Sequence, residues 1–338
     1  MKTYRLGEGA GPDRLVLEDG PDLAPGAHEV LMRVRATSLN YRDRMIVENR
    51  YGAGVRKGVI PLSDGAGEVV AVGDKVRRAK VGDRIAGTFF ADWPGGRFRA
   101  ANGATQRGSH EDGMLAEFRV INEQSLVHIP EHLSFAEAAT LPCAAVTAWV
   151  ALTGGRGITA GDTVLTLGTG GVALFAVQLA KALGTRVVST TSSREKAERL
   201  RALGADAVIN YAETPEWDRA VRDATGGEGA DCVIEIGGAD TLERSIRSAS
   251  IGGEIGLIGA ASRAGTTLDM SVFAGAIVTL RRIAVGSRAD FEAMNRAIAV
   301  HRLHPVIDRI FPFDAAREAL RYFASGTHVG KVVIEHGD

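Results

Sequence analysis

Residues 163 to 181 constrain this chain more than any other stretch. An apolar run from Thr163 to Leu167 meets Gly168, Gly170 and Gly171, then passes through Val172 and Ala173 into a segment, to Lys181, with apolar residues at helical spacing. A strand that turns through glycines into a helix sets backbone N–H groups and a positive helix N-terminus against an anion. Gly168 permits the tight turn, Gly170 removes a side chain so that backbone can approach a phosphate, and small Ala173 lets helix and strand pack closely. The same residues also suit an ordinary strand-turn-helix. The next run, Thr185 to Thr190 after Leu183-Gly184, favours the ligand reading, because it completes a βαβ unit of the size that holds a dinucleotide pyrophosphate.

That rhythm continues downstream. Helix is expected over Ser193 to Leu203, Glu216 to Ala224 and Thr241 to Ser250; strand over Ala207 to Asn210, Ala230 to Ile236 and Gly253 to Gly259. The pattern is α/β, a doubly wound parallel sheet, with Arg282 to Gly286 as a sixth, edge strand able to pair with its copy in a second subunit. Ligands in such sheets lie beyond the carboxyl ends of the strands, where Gly237, Gly238, Ile258 and Gly259 fall; strand-end glycines also simply turn the chain.

The first third is different: short β-like runs at Glu29 to Ala36, Gly67 to Gly73, Asp83 to Gly87 and Met114 to Ile121 suggest a β-rich, barrel-like unit. Between Ala91 and Asp112, Gly, Arg, Asn and Ser replace apolar residues, so this is read as a long loop, either functional or a plain solvated excursion. The last fifty residues, closing on a strand from Gly330 to Ile334, return to complete this unit. With 338 residues two domains are expected.

Lys and Arg (40) balance Asp and Glu (41) and are interleaved with them, which argues against a nucleic-acid or anionic-membrane partner. The N-terminus has no apolar signal core and no run reaches membrane-spanning length, so a cytoplasmic location is expected. Cys143 and Cys232 are the only cysteines and form no C-x-x-C pair; neither a disulfide nor structural zinc is expected.

Nearly the whole chain resembles the medium-chain dehydrogenase/reductase superfamily, and within it the zinc-independent quinone oxidoreductase and enoyl reductase branch. The motifs that carry this are Ser38 to Asp43, Pro61 to Gly73, Val81 to Arg84, Leu141 to Trp149, the glycine turn from Gly168 to Gly171, and Leu203 to Asp206. The resemblance implies a GroES-like β-rich catalytic domain over residues 1–128, a Rossmann domain over 129–287 and completion of the first domain by 288–338. It also implies that Thr147 sits at the nicotinamide end of the cofactor. Zinc members place a Cys where this chain has Asn40, a His-Glu pair at Ser63-Asp64, and a Cys at Cys143. One thiol and one carboxylate fall short of the three protein ligands that a catalytic zinc takes, so no metal is expected and Cys143 is read as a packing residue beside the nicotinamide.

NAD-specific sheets present an acid at the end of the second strand, but here Ser192, Ser193, Arg194, Glu195 and Lys196 follow it. Hydroxyls and cations suit a 2′-phosphate, which favours NADPH, with NADH a weaker possibility because of Glu195. In the quinone oxidoreductase branch, a Lys and a Tyr contact that phosphate; their places are Lys196 and Tyr211. The competing reading makes the serines a helix cap and the three charges its solvated first turn.

Hydride addition to a conjugated acceptor leaves an enolate, which needs no metal if a hydrogen-bond donor meets the oxygen. Related enoyl reductases place an Asn and, eleven residues later, a Tyr in this role, matched here by Asn40 and Tyr51; Tyr41 competes, and each tyrosine also reads as a half-buried packing residue. Asp43 is expected to orient backbone, and Lys331 and His328 have no supporting constellation. The expected activity is NADPH-dependent hydride transfer to an enone, enal or quinone by a homodimer or homotetramer. Alternatives are alcohol or carbonyl oxidoreduction, and NADPH binding with little turnover.

Overall fold

A computed structural model describes residues 1–52, 54–259 and 267–337. The chain divides into two compact units, residues 1–146 with 286–338, and residues 147–285. The segment 129–146 therefore packs with the first unit, although the sequence division at 128/129 assigned it to the second.

In the second unit, the expected parallel sheet forms from β1 (Thr163–Leu167), β2 (Arg186–Thr191), β3 (Ala207–Asn210), β4 (Ala230–Glu235), β5 (Ala249–Leu257) and β6 (Thr279–Arg282), in the order β3-β2-β1-β4-β5-β6. Strand order reverses between β1 and β4, the place where sheets of this kind bind ligands. Consecutive residues such as Val164-Leu165, Val187-Val188 and Val233-Ile234 are all fully buried, the mark of strands covered on both faces. The connecting helices are α1 (Gly171–Ala182), α2 (Arg194–Ala202), α3 (Trp217–Ala224) and α4 (Ala239–Ser248). Trp217 and Val221 of α3 and Ile246 of α4 join Leu165, Val188, Val233 and Ile255 in one core.

The edge strand lies earlier than the expected 282–286. Register with β5 runs from Glu254 opposite Thr279 to Leu257 opposite Arg282, and Val285 has φ 57°, left-handed backbone in which a β-branched residue cannot extend a strand. β5 likewise starts at Ala249, not Gly253.

The first unit is built on a seven-stranded sheet. Its longest strand, Glu29–Ser38, pairs antiparallel with Asp64–Val72, Phe118–Asn122 and the closing strand Lys331–Glu335. The register decides what meets at one end of this strand: Ser38 stands opposite both Asp64 and Val333, and Leu39 N donates to Val332 O at 3.0 Å. Asn40, Asp64 and Lys331 are thereby drawn together.

Residues 91–112 divide in character. Residues 94–100 are exposed, but from Gln106 the chain folds back inward: Arg107 and Ser109 are buried, and the Arg107 guanidinium donates to Thr88 O at 3.1 Å and Ser125 Oγ at 2.8 Å. Gly108 (φ 73°) and Gly113 make this possible, since a Cβ would stand 2.9 and 2.1 Å from Leu62 backbone. Among the described residues, no helix is long and apolar enough to cross a membrane.

Candidate active site

The converging strands of the first unit enclose a buried polar cluster. Lys331 donates from Nζ to Leu39 O and Asn40 Oδ1, each at 2.6 Å. Asp43 Oδ2 accepts from Asn40 N at 2.8 Å, at the start of the helix Tyr41–Val47. Asp64 accepts from Ser63 Oγ at 2.7 Å and from Cys143 N at 3.2 Å. Asn40 Nδ2 is buried without a hydrogen bond of normal geometry, although the amide lies near enough to Asp64 to favour its ionised form. The Asn40 amide is thus held inside the cluster between Lys331 and Asp64.

Burial dominates the electrostatics here. It raises Asp43 to about 6 against the pull of Arg42, raises Asp64 against Lys331, and lowers Lys331 against Asp64. It also raises the Cys143 thiol far above its ordinary value, the condition of a packing thiol. Among the described residues, no group of three or more His, Cys, Asp or Glu side chains is placed to hold a metal ion. Around Asn40, Ser63, Asp64 and Cys143 the donor set suits zinc poorly: the carboxylate is already engaged, the thiol is held protonated, and an ammonium occupies the amide oxygen. Lys331, which the sequence left as structural for want of a supporting constellation, enters this cluster from the head of the closing strand.

Tyr51 is joined to this cluster indirectly. Its hydroxyl donates to Gln106 Oε1 at 2.8 Å and accepts from Arg42 Nε at 3.4 Å, with the Arg42 guanidinium 4.9 Å from its ring centre. Arg42 is fixed in turn by Arg107 O at 2.9 Å, Ser109 Oγ at 2.8 Å and Asp43 Oδ1 at 3.3 Å. Tyr51 also packs on the apolar core formed by Leu39, Ile46 and Ile60, as the packing reading of this residue expects. Tyr41 is 44% exposed on the outer side of its helix and stays out of the cluster. Arg42 and Gln106 were not singled out from the sequence; the turn at Gly108 that brings Gln106 inward leaves no periodic trace.

In the second unit, the glycine turn has the form expected of an anion cradle. Gly168 has φ 74°, and a Cβ at Gly170 would meet nothing within 4 Å, so its missing side chain leaves open space in front of α1. No side chain caps α1 at Gly170, which leaves the first N–H groups, from Gly171, Val172 and Ala173, for a ligand. Ala173 is fully buried against the sheet. Thr147, 4% exposed, is the first residue of this unit.

At the carboxyl ends of β2 and β3, Tyr211 N donates to Thr191 O at 2.9 Å, which sets Tyr211 beside Ser192. Thr191 Oγ1 is buried without a partner, a donor that the sequence reading passed over. Ser193 Oγ accepts from Lys196 N at 3.3 Å, so this serine does cap α2; Arg194 is exposed and paired with Glu213 at 3.0 Å, while Ser192 and Lys196 remain on the open side. Of the strand-end glycines, Gly237 N donates to Glu235 Oε1 at 2.6 Å, and Gly259 allows Ile258 and Gly259 to turn against Glu235 O, because its Cβ would stand 1.7 Å from Ile236 O. Both glycines have a structural duty.

Comparison with known proteins supports the fold and its family. The alcohol dehydrogenase GroES-like domain model matches residues 26–131 and the zinc-binding dehydrogenase model residues 171–299. A zinc-type alcohol dehydrogenase-like protein of Schizosaccharomyces pombe is 41% identical over 93% of this chain and 92% of its own length. A quinone oxidoreductase of Pseudomonas aeruginosa is 34% identical over 88% of this chain and 86% of its own. The crystal structure of an NAD-dependent alcohol dehydrogenase superimposes with a TM-score of 0.91 at 32% identity, covering 100% of both chains. The chain is an oxidoreductase of the medium-chain dehydrogenase/reductase family, a GroES-like domain joined to a Rossmann unit of the nicotinamide-dinucleotide-binding type.

Proposed function

We propose that the protein is an NADPH-dependent, metal-independent reductase of activated C=C bonds or quinones. The observation that supports this reading is the buried cluster of Asn40, Asp43, Asp64 and Lys331, whose engaged carboxylate, protonated thiol and ammonium-bound amide oxygen suit zinc poorly and leave hydrogen-bonding groups, not a metal, to meet an enolate or quinol oxygen. The glycine turn at Gly168, Gly170 and Gly171 would hold the pyrophosphate of NADPH, which would supply the hydride. Asn40 meets the acceptor oxygen as charge develops on it, Arg42 orients the Tyr51 hydroxyl, and Tyr51 holds a proton for the enolate once Gln106 releases it.

The Ser192 hydroxyl, with Tyr211 beside it, Lys196 in the first turn of α2 and no acid at the end of β2, supports preference for the 2′-phosphate; the capping duty of Ser193 and the Arg194–Glu213 pair leave Lys196 as its main cation. Homo-oligomerisation through the edge strand β6 belongs to the same proposal. A second reading, alcohol or carbonyl oxidoreduction, has support in the names of two relatives. Initial rates after chelator treatment separate them: conjugated enones and quinones turned over with NADPH support the proposal, whereas turnover confined to simple ketones or alcohols, or abolished by the chelator, contradicts it. NADPH binding without turnover of any acceptor favours a binding protein.

A further inference from the structure

At its carboxyl end β5 outruns the ladder that holds it. The register with β6 stops at Leu257 opposite Arg282, and the next two residues, Ile258 and Gly259, lie past it, half-buried at the ligand end of the sheet. From one side β4 holds them, since Ile258 N and Gly259 N donate to Glu235 O at 2.9 and 3.1 Å. From the other side the backbone of β6 reaches as far as Leu257 O, through Ile283 N at 2.9 Å.

A side chain extends that grip by one residue. Arg282 Nη1 donates to Leu257 O at 2.8 Å, to Ile258 O at 2.7 Å and to Ile283 O at 3.1 Å. Two of these bonds meet on one peptide unit: its N–H, from Gly259, donates to β4, and its C=O, from Ile258, accepts from Arg282 on β6. Arg282 is exposed, so folding back over the strand end costs it rotamer freedom that an extended side chain in water would keep. Packing gives no reason for that conformation; the carbonyl oxygens do.

The place of this peptide follows from the strand order β3-β2-β1-β4-β5-β6. With a 2′-phosphate at the turn from β2 to α2 and a pyrophosphate at the start of α1, the other half of the dinucleotide crosses the switch point onto the ends of β4 and β5. The Glu235 carboxylate fixes the first of these ends, accepting from Gly237 N at 2.6 Å and Gly238 N at 2.9 Å. We propose that Arg282 is a positioning residue that fixes the second, holding the Ile258–Gly259 peptide as a wall for the nicotinamide half of NADPH. This rests on the reading of Lys196 and the glycine turn as the seats of the 2′-phosphate and the pyrophosphate.

Two ligands separate such a role from general loosening: NADPH, and 2′-phospho-ADP-ribose, which is the cofactor without its nicotinamide. Calorimetric titration of the native protein, Arg282→Met and Arg282→Lys with each ligand tests it. Arg282→Met binds NADPH about tenfold more weakly and binds 2′-phospho-ADP-ribose within about twofold of the native protein. Arg282→Lys, which keeps a cationic donor, recovers part of the NADPH affinity. Should Arg282→Met not fold, Arg282→Gln, which removes the charge and keeps a polar end, carries the same comparison. Equal losses for both ligands, or no loss for either, would overturn the proposal alone. Failure of the native protein to bind 2′-phospho-ADP-ribose would overturn the cofactor reading and the proposal with it.

Discussion

Asn40 and Lys331 lie 291 positions apart in the chain and 2.6 Å apart in the fold, and that contact fixes the oxygen end of the Asn40 amide. Tyr51 is a different case, since its proton is already engaged by Gln106 Oε1. Tyr51→Phe should lower kcat by about 10²-fold if that proton reaches the enolate; Gln106→Ala, which frees the hydroxyl, should be milder. Steady-state kinetics of both variants decide it, and an unimpaired Tyr51→Phe would reduce the residue to packing. Asp43 gives a pH prediction. Burial raises it from 3.8 to about 6, so the folded protein binds this proton more tightly than the unfolded chain does. The stability it confers is full below about pH 4 and is lost as pH rises through about 6, up to about 3 kcal/mol by linkage. Urea unfolding from pH 4 to pH 7 should show that falling component in the native protein and not in Asp43→Asn; parallel pH profiles would contradict it.

At the scale of elements, the start of α1 separates ligand binding from folding. A methyl at Gly170 meets nothing within 4 Å, so Gly170→Ala should leave stability within about 0.5 kcal/mol and yet weaken NADPH binding by about tenfold or more. Gly259→Ala, whose Cβ would sit 1.7 Å from Ile236 O, should instead fail to fold stably. Thermal melts and fluorescence titration read both; tight NADPH binding by Gly170→Ala would remove the cradle from the account. The turn from β2 to α2 offers a specificity test, because Arg194 is tied to Glu213 while Lys196 is not. Lys196→Ala should reduce the preference for NADPH over NADH by about tenfold, and Arg194→Ala should change it little. Equal preference in all three proteins would mean that this turn does not read the 2′-phosphate.

Across the whole molecule, what was legible in the sequence was what is local. The glycine turn, the alternating strands and helices and the apolar runs announced a doubly wound sheet, because each depends on neighbours within one element. Register between distant strands left no such trace. Lys331 enters the cluster only because the closing strand pairs with the end of Glu29–Ser38, and Gln106 and Arg107 turn inward only because Gly108 and Gly113 let backbone pass close to Leu62. The edge strand was misplaced for a related reason: the run 282–286 reads as a strand by itself, whereas pairing with β5 and the left-handed backbone at Val285 place it at 279–282. The central claim is that this chain delivers hydride to the β carbon of a conjugated acceptor without a metal. Reduction of 2-cyclohexenone with 4-deuterated NADPH by chelator-treated protein tests it most directly, with the label located in the product by NMR. Deuterium at the β carbon of cyclohexanone is the expected result; deuterium on the carbinol carbon of an allylic alcohol would contradict the account.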